Sequence, residues 1–142
     1  MADGRDEAAV DYDLLQPVGN RVIRGVAERG FLSLDDADQV FYLLWCYGGA
    51  VSIGGHASFF FNNGADYYAE TVDALNRAGL PVFSRLLVEA AAVFFAGDVP
   101  RGINQRNAVM RDGDVSKIDV AFFDADGGDA VLRALERWQE TK

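Results

Sequence analysis

The stretch from Trp45 to Gly64, WCYGGAVSIGGHASFFFNNG, constrains this chain more than any other. It holds two Gly-Gly pairs, three consecutive phenylalanines, and the only cysteine and only histidine of the chain. The first pair, Gly48-Gly49, follows an apolar helical run. Glycine takes the left-handed cap conformation without steric penalty, so a helix end is expected there. After the second pair, Gly54-Gly55, the residues Phe59-Phe60-Phe61 point in three directions around a helix. A helix that is apolar all round is buried. The stretch therefore predicts a central helix, with Phe60 as its pin. It reads as core rather than chemistry.

At 142 residues, half of them hydrophobic, the chain can build one domain with a core that needs no staples. A single cysteine makes no internal disulfide, and Cys46 reads as a small buried apolar residue. No apolar run reaches the roughly 18 residues of a membrane span. The first residues are acidic and lack the basic-then-apolar order of a signal peptide. A cytoplasmic protein without membrane contact is the expectation, with residues 1–9 as a flexible acidic leader.

From Asp11 onward, Leu15, Val18, Val22 and Val26 recur at helical spacing, with Leu14 and Ile23 widening the face. Pro17 places the helix start near itself, and Gly30 closes the helix. Ser33 stands three residues before Asp36, in the manner of a capping box. The second helix carries Val40, Phe41, Leu43, Leu44, Trp45 and Tyr47 and is expected to stop at Gly48-Gly49. The Phe-rich helix follows, closed by Asn62-Asn63-Gly64. Asp66 suits the N-cap of a fourth helix, with Glu70 near its positive end and Gly79 at its close. Pro81 opens a fifth, whose inner stripe is Phe83, Leu86, Leu87, Ala90 and Phe94. Residues 97–118 read as a long, locally basic loop with at most a short helical turn. Ile118, Val120, Phe122 and Phe123 return the chain to the core, and a last helix starts near residue 128. The expected fold is all-α: residues 10–142 as one domain of about six helices, in antiparallel hairpins around the Phe-rich central helix.

One ordered set of residues resembles a known family. It is Gly54-Gly55, Phe59-Phe60-Phe61-Asn62, then Glu70-Thr71-Val72-Asp73-Ala74-Leu75, then Gly79 and Pro81. The chain is similar over residues 41–95 to a bacterial all-helical domain family, mostly of unknown function, that includes a small acidic DNA-mimic protein. The resemblance implies an all-α fold, a structural role for Gly54, Gly55, Phe60, Asn62 and Glu70, and a homodimer. Ile53, His56 and Ser58 replace the Asn, aromatic and Gln that the family usually carries, so a polar site built on those amides is altered or absent here. In the mimic, surface carboxylates stand in for DNA phosphates and capture a DNA-binding protein.

The candidate sites divide between chemistry and charge. His56 follows a glycine pair, but no Cys or acid stands at metal-ligand spacing, so a structural histidine is expected and no metal or other cofactor. A Cys46–His56 nucleophile pair is disfavoured, because a thiolate is unstable in an apolar helix. Asp124-Ala125-Asp126-Gly127-Gly128-Asp129 starts like a calcium loop and breaks the pattern at once. The glycine pairs lack the following Lys-Ser/Thr of a phosphate cradle. The charge is more informative. A formal net charge of -9 disfavours direct binding of nucleic acid and fits a basic partner. Two acidic clusters are candidate partner-binding sites: Asp35, Asp36 and Asp38, and the set Asp112, Asp114, Asp119, Asp124, Asp126 and Asp129. Helix capping and solubility explain the same acids without a partner. The expected function is a non-catalytic acidic interaction protein that binds a basic protein such as a DNA-binding or regulatory protein. The alternative is an enzyme or small-ligand binder with a polar pocket around His56, Ser58 and Asn62.

Overall fold

A computed structural model describes residues 10–96 and 98–140. The leader expected over residues 1–9 lies outside these. Among the described residues there are seven α-helices and no strand, so the all-α expectation holds. They are α1 (Tyr12–Arg29), α2 (Asp36–Phe60), α3 (Tyr68–Arg77), α4 (Pro81–Phe95), α5 (Ile103–Val109), α6 (Ser116–Asp124) and α7 (Gly127–Glu140). Short 3-10 turns at Phe31–Ser33 and Asn63–Tyr67 lead into α2 and α3.

The centre is α2, which packs against α1, α3, α4, α6 and α7. It does not stop at Gly48-Gly49 as expected but runs on to Phe60. The reason is tertiary. A Cβ on Gly48 would sit 3.0 Å from the Val131 side chain, so the missing side chain lets α7 close on α2. That packing outweighs the weak helix propensity of glycine. The break comes one pair later, where Gly54 (φ -137°) and Gly55 (φ 76°) leave helical geometry. Only glycine takes the Gly55 conformation without strain.

Local chemistry sets the other ends. Asp11 caps α1 by accepting from the Leu14 N–H, so α1 starts before Pro17 rather than at it. Pro17 is exposed, where water can satisfy the carbonyl it leaves free. Asp35, not Ser33, caps α2: its Oδ1 accepts from the Asp38 N–H at 2.8 Å, while the Ser33 hydroxyl donates back to the Gly30 carbonyl. Asp66 does not cap α3, because a 3-10 turn precedes that helix and Asp66 is drawn aside by an arginine. Gly79 (φ 79°) ends α3 as expected, with the Leu80 N–H returning to the Leu75 carbonyl at 2.8 Å. Pro81 opens α4. At the far end, the Trp138 indole N–H donates to the Ala37 carbonyl and the Asp11 N–H to Glu136, tying α7 to the N-terminal ends of α2 and α1.

The core is aromatic. Phe59 and Phe60 are fully buried, and the Phe60 ring meets those of Phe59, Tyr68, Phe94 and Phe95. Phe61 is 54% exposed, so the triplet is buried on two sides, not three. Val120 and Phe123 likewise face outward on α6, contrary to expectation, while Phe122 fills the core beside Tyr47 and Phe83. The segment expected as a loop holds α5 and the start of α6. Phe60→Ala should therefore cost about 3–5 kcal/mol in urea denaturation. Phe61→Ala should stay within about 0.5 kcal/mol, the range of surface changes.

Candidate interaction site

The break in α2 brings its only histidine under a carboxylate from α6. Asp119 Oδ1 accepts both the His56 backbone N–H (2.9 Å) and the His56 ring Nδ1–H (2.8 Å). A carboxylate only accepts, so Nδ1 carries the proton. Nε2 then accepts from the Tyr47 hydroxyl at 2.8 Å. Burial pushes the Tyr47 phenol well above its ordinary range, and the Asp119 charge adds to this, so the hydroxyl remains a donor. His56 is fully buried. Burial holds its ring below the ordinary 6.5, and the Asp119 carboxylate pulls the other way without prevailing. Both ring nitrogens are thus committed within the fold. Gly55 is part of the same device, since a Cβ there would overlap the Asp119 carboxylate.

Ser58 and Asn62 do not converge with His56 on one cavity. They border a groove of about 570 Å³ between α1 and α2, whose walls include Ile23, Trp45 and Ile53 and not His56. The Asn62 amide donates to the Ser58 carbonyl at 2.6 Å. Cys46 lines that groove too, half-buried rather than fully buried. Burial pushes its thiol up to about 11, which keeps it protonated and weakly nucleophilic near neutral pH.

The two acidic clusters separate in space and in employment. In the first, Asp38 is buried and holds Arg21 bidentately at 2.7 and 3.1 Å. Asp36 holds Arg77 in the same way, at 2.6 and 3.1 Å. Asp35 is occupied as the α2 cap. These acids are largely neutralised within the fold. In the second cluster Asp119 is turned inward to His56. Asp112, Asp114, Asp124, Asp126 and Asp129 are exposed, before and after α6. Asp114 caps the approach to α6 by accepting the Ser116 N–H and hydroxyl, and these bonds hold its carboxyl below the usual range. Asp129 stands 3.9 Å from Arg133, one turn along α7. The nearby Arg111 is engaged with the Ala92 and Val93 carbonyls at the end of α4. Between these carboxylates, α6 exposes Val120 (55%) and Phe123 (51%) on one face.

Arg106 is the functional-looking side chain that the sequence hid among loop cations. It is fully buried. Its guanidinium donates to the carbonyls of Phe60 (3.0 Å), Asn62 (2.8 Å), Pro100 (3.1 Å) and Arg101 (2.6 Å), and to Asp66 (2.8 Å). It closes the carbonyl end of α2, which is structural work. Glu70 sits beside it, paired with Arg101 at 2.7 Å. No signal in spacing marks Arg106 apart from Arg101 or Arg111.

These features define a class: an all-helical domain whose central ionisable groups are spent on its own fold, with free carboxylates on one flank. Among the described residues no helix is long and apolar enough to cross a membrane. The chain belongs to the DMP19-like protein family, whose model matches residues 32–142. That match extends well beyond the 41–95 motif stretch. No curated protein and no solved structure matches the chain significantly.

The His56–Asp119 contact has two measurable consequences. Asp119→Ala leaves two donors of His56 unpaired and should cost on the order of 2–4 kcal/mol in denaturant titration. The pH dependence has a definite sign. Above 6.5 the histidine is neutral in both folded and unfolded chains. As pH falls below that value the unfolded chain gains the proton first, so stability drops until the folded pKa is passed. Denaturation midpoints measured from about pH 7 to about pH 5 should fall in wild type, and the histidine contribution should vanish in His56→Asn.

Proposed function

We propose that the protein is a non-catalytic, cytoplasmic interaction protein that acts as a DNA mimic, capturing a basic DNA-binding or regulatory protein. The observation that carries this reading is the flank of α6. There Asp112, Asp114, Asp124 and Asp126 are exposed and, among the described residues, stand in no arginine or lysine ion pair, unlike Asp36, Asp38, Asp66 and Glu70. Residues 111–129 hold six aspartates against Arg111 and Lys117, so the segment around α6 is acidic in balance. The nine residues of α6 span about 13 Å at 1.5 Å each. One DNA strand presents roughly four phosphates over that length, at about 3.4 Å per charge. Four carboxylates bracket the helix. Val120 and Phe123 between them supply the apolar centre that a protein partner uses and a nucleic acid would not. Membership of the family supports the same reading, since the acidic mimic that this chain resembles works through surface carboxylates. A homodimer would present two such faces.

The first cluster carries less of the binding. Asp36 and Asp38 would have to release Arg77 and Arg21 before meeting a partner. A pull-down from cell extract at low and at high salt supplies the partner, and titration then measures its affinity. Screening acts over about 8–10 Å at physiological salt, so affinity should fall steeply as salt rises. Replacing Asp112, Asp114, Asp124 and Asp126 together by Asn should weaken binding at least about tenfold and flatten the salt dependence. Asn keeps the Ser116 cap and tolerates the left-handed Asp126 position (φ 52°), so the fold should persist. A partner indifferent both to salt and to this substitution would remove the electrostatic reading.

A further inference from the structure

One short helix joins the acidic flank to the buried histidine. Of the nine residues of α6 only Phe122 is buried, with Val115 just before the helix, whereas α4 buries seven of its fifteen. An element with so few buried residues is among the first to open locally. The rest of its hold on α2 is polar: Asp119 Oδ1 takes the backbone N–H and the ring Nδ1–H of His56. The Asp119 side chain is 25% exposed, so the edge of this contact is open to solvent. While α6 is closed, the ring has no place for a second proton. Nε2 is occupied as the acceptor of the Tyr47 O–H at 2.8 Å. A proton on Nε2 turns that nitrogen into a donor, and the Tyr47 hydroxyl must then swing its own proton away. Among the described residues no second acceptor is bonded to that hydroxyl, so proton uptake in the closed site leaves a buried donor without a partner. The titratable groups that face the ring are Tyr47 from α2 itself and Asp119 from α6. Helices α4 and α7 meet the cluster through Phe83 and Gly127, both against Phe122, and the charge acting on the ring is that of Asp119. With α6 lifted, the ring meets water and takes its proton at the ordinary value.

We propose that α6 is a proton-sensitive latch: acid releases the Asp119–His56 contact and lifts the helix, with its flanking carboxylates, from the bend in α2. His56 is the chain's only histidine, so no other side chain of ordinary acidity changes charge between about pH 7 and about pH 5. By linkage, the ratio of open to closed helix rises by up to about twentyfold over that interval. The effect is local, because opening α6 is enough to wet the ring and the remaining helices need not unfold. Capture of a basic partner weakens as far as the closed fraction is lost, a consequence that rests on the proposed function. The opening itself is read without a partner, so the latch and the capture can fail separately.

Amide hydrogen exchange on the full chain at about pH 7 and about pH 5, corrected for the intrinsic pH dependence of exchange, tests the latch. The α6 amides should exchange faster than those of α4 at both pH values, which marks an opening smaller than global unfolding. Their protection should fall about tenfold or more at the lower pH. In His56→Asn, whose side-chain amide can still donate to Asp119, that fall should be absent. A second measurement needs no variant. One histidine gives one set of ring signals in nuclear magnetic resonance, and their midpoint in the wild-type protein should lie below 6.5. Four results would each overturn the latch: α6 amides as protected as those of α4, α6 protection equal at the two pH values, a fall that persists in His56→Asn, or a ring midpoint at or above 6.5.

Discussion

The carboxylate of Asp119 fixes the bend in the central helix. Two donors of one residue, His56, converge on one oxygen, and Gly55 clears the space the carboxylate occupies. Beyond the bend, Phe60 meets the rings of Tyr68 on α3 and of Phe94 and Phe95 on α4. Without the carboxylate, the bend would leave a backbone N–H and a ring N–H unsatisfied in the core, a cost comparable to much of the stability of a small domain. The acid that charge alone assigns to a surface cluster thus serves the interior. Its position also anchors α6, and with it the outward face formed by Val120 and Phe123. Core and flank are joined by this side chain together with Phe122, which packs on Tyr47 and Phe83.

The helix inventory was largely legible in the sequence because amphipathic spacing and punctuation agree over α1, α3, α4 and α7. Phe83, Leu86, Leu87, Ala90 and Phe94 are buried along α4 as their spacing requires. Pro81 and Gly79 punctuate where their backbone preferences demand. Two of the errors come from tertiary contact overriding a local preference, while the starts of α1 and α2 are set by local caps, Asp11 and Asp35. Gly48-Gly49 reads as a helix end until α7 is seen lying in the space that the missing side chain leaves. Asp66 reads as a cap until Arg106 competes for it. Phe123 reads as core because aromatic residues so often are, yet its neighbour Phe122 takes the inward position.

The site was legible in less measure. Sequence pointed to His56 as structural, and the pairing of both its nitrogens agrees with that reading. It could not separate Asp119 from the other aspartates, because the contact joins residues 63 positions apart. It could not see that Asp36 and Asp38 are held by arginines from α3 and α1, which lie far off in sequence or on another helix. Arg106 is the clearest case. Five acceptors from three separate segments meet one guanidinium, and no local pattern anticipates such a meeting. A lysine could not replace it, since a point charge lacks the planar fork of donors.

The lateness of α7 in the chain has a consequence for how the protein is made. The helix that covers α2 most extensively follows the other six in chain order. Its fastenings bridge long separations: 101 residues from Trp138 to Ala37, and 125 from Glu136 to Asp11. Such distant pairings slow folding relative to bundles built from neighbouring helices. On the ribosome, α1 through α6 emerge while the Gly48 side of α2 still lacks its cover. The nascent domain therefore exposes an apolar helix face until this fourteen-residue helix arrives. Loss of α7 would therefore uncover the Gly48 side of α2 and harm the domain more than the helix's place in the chain order suggests.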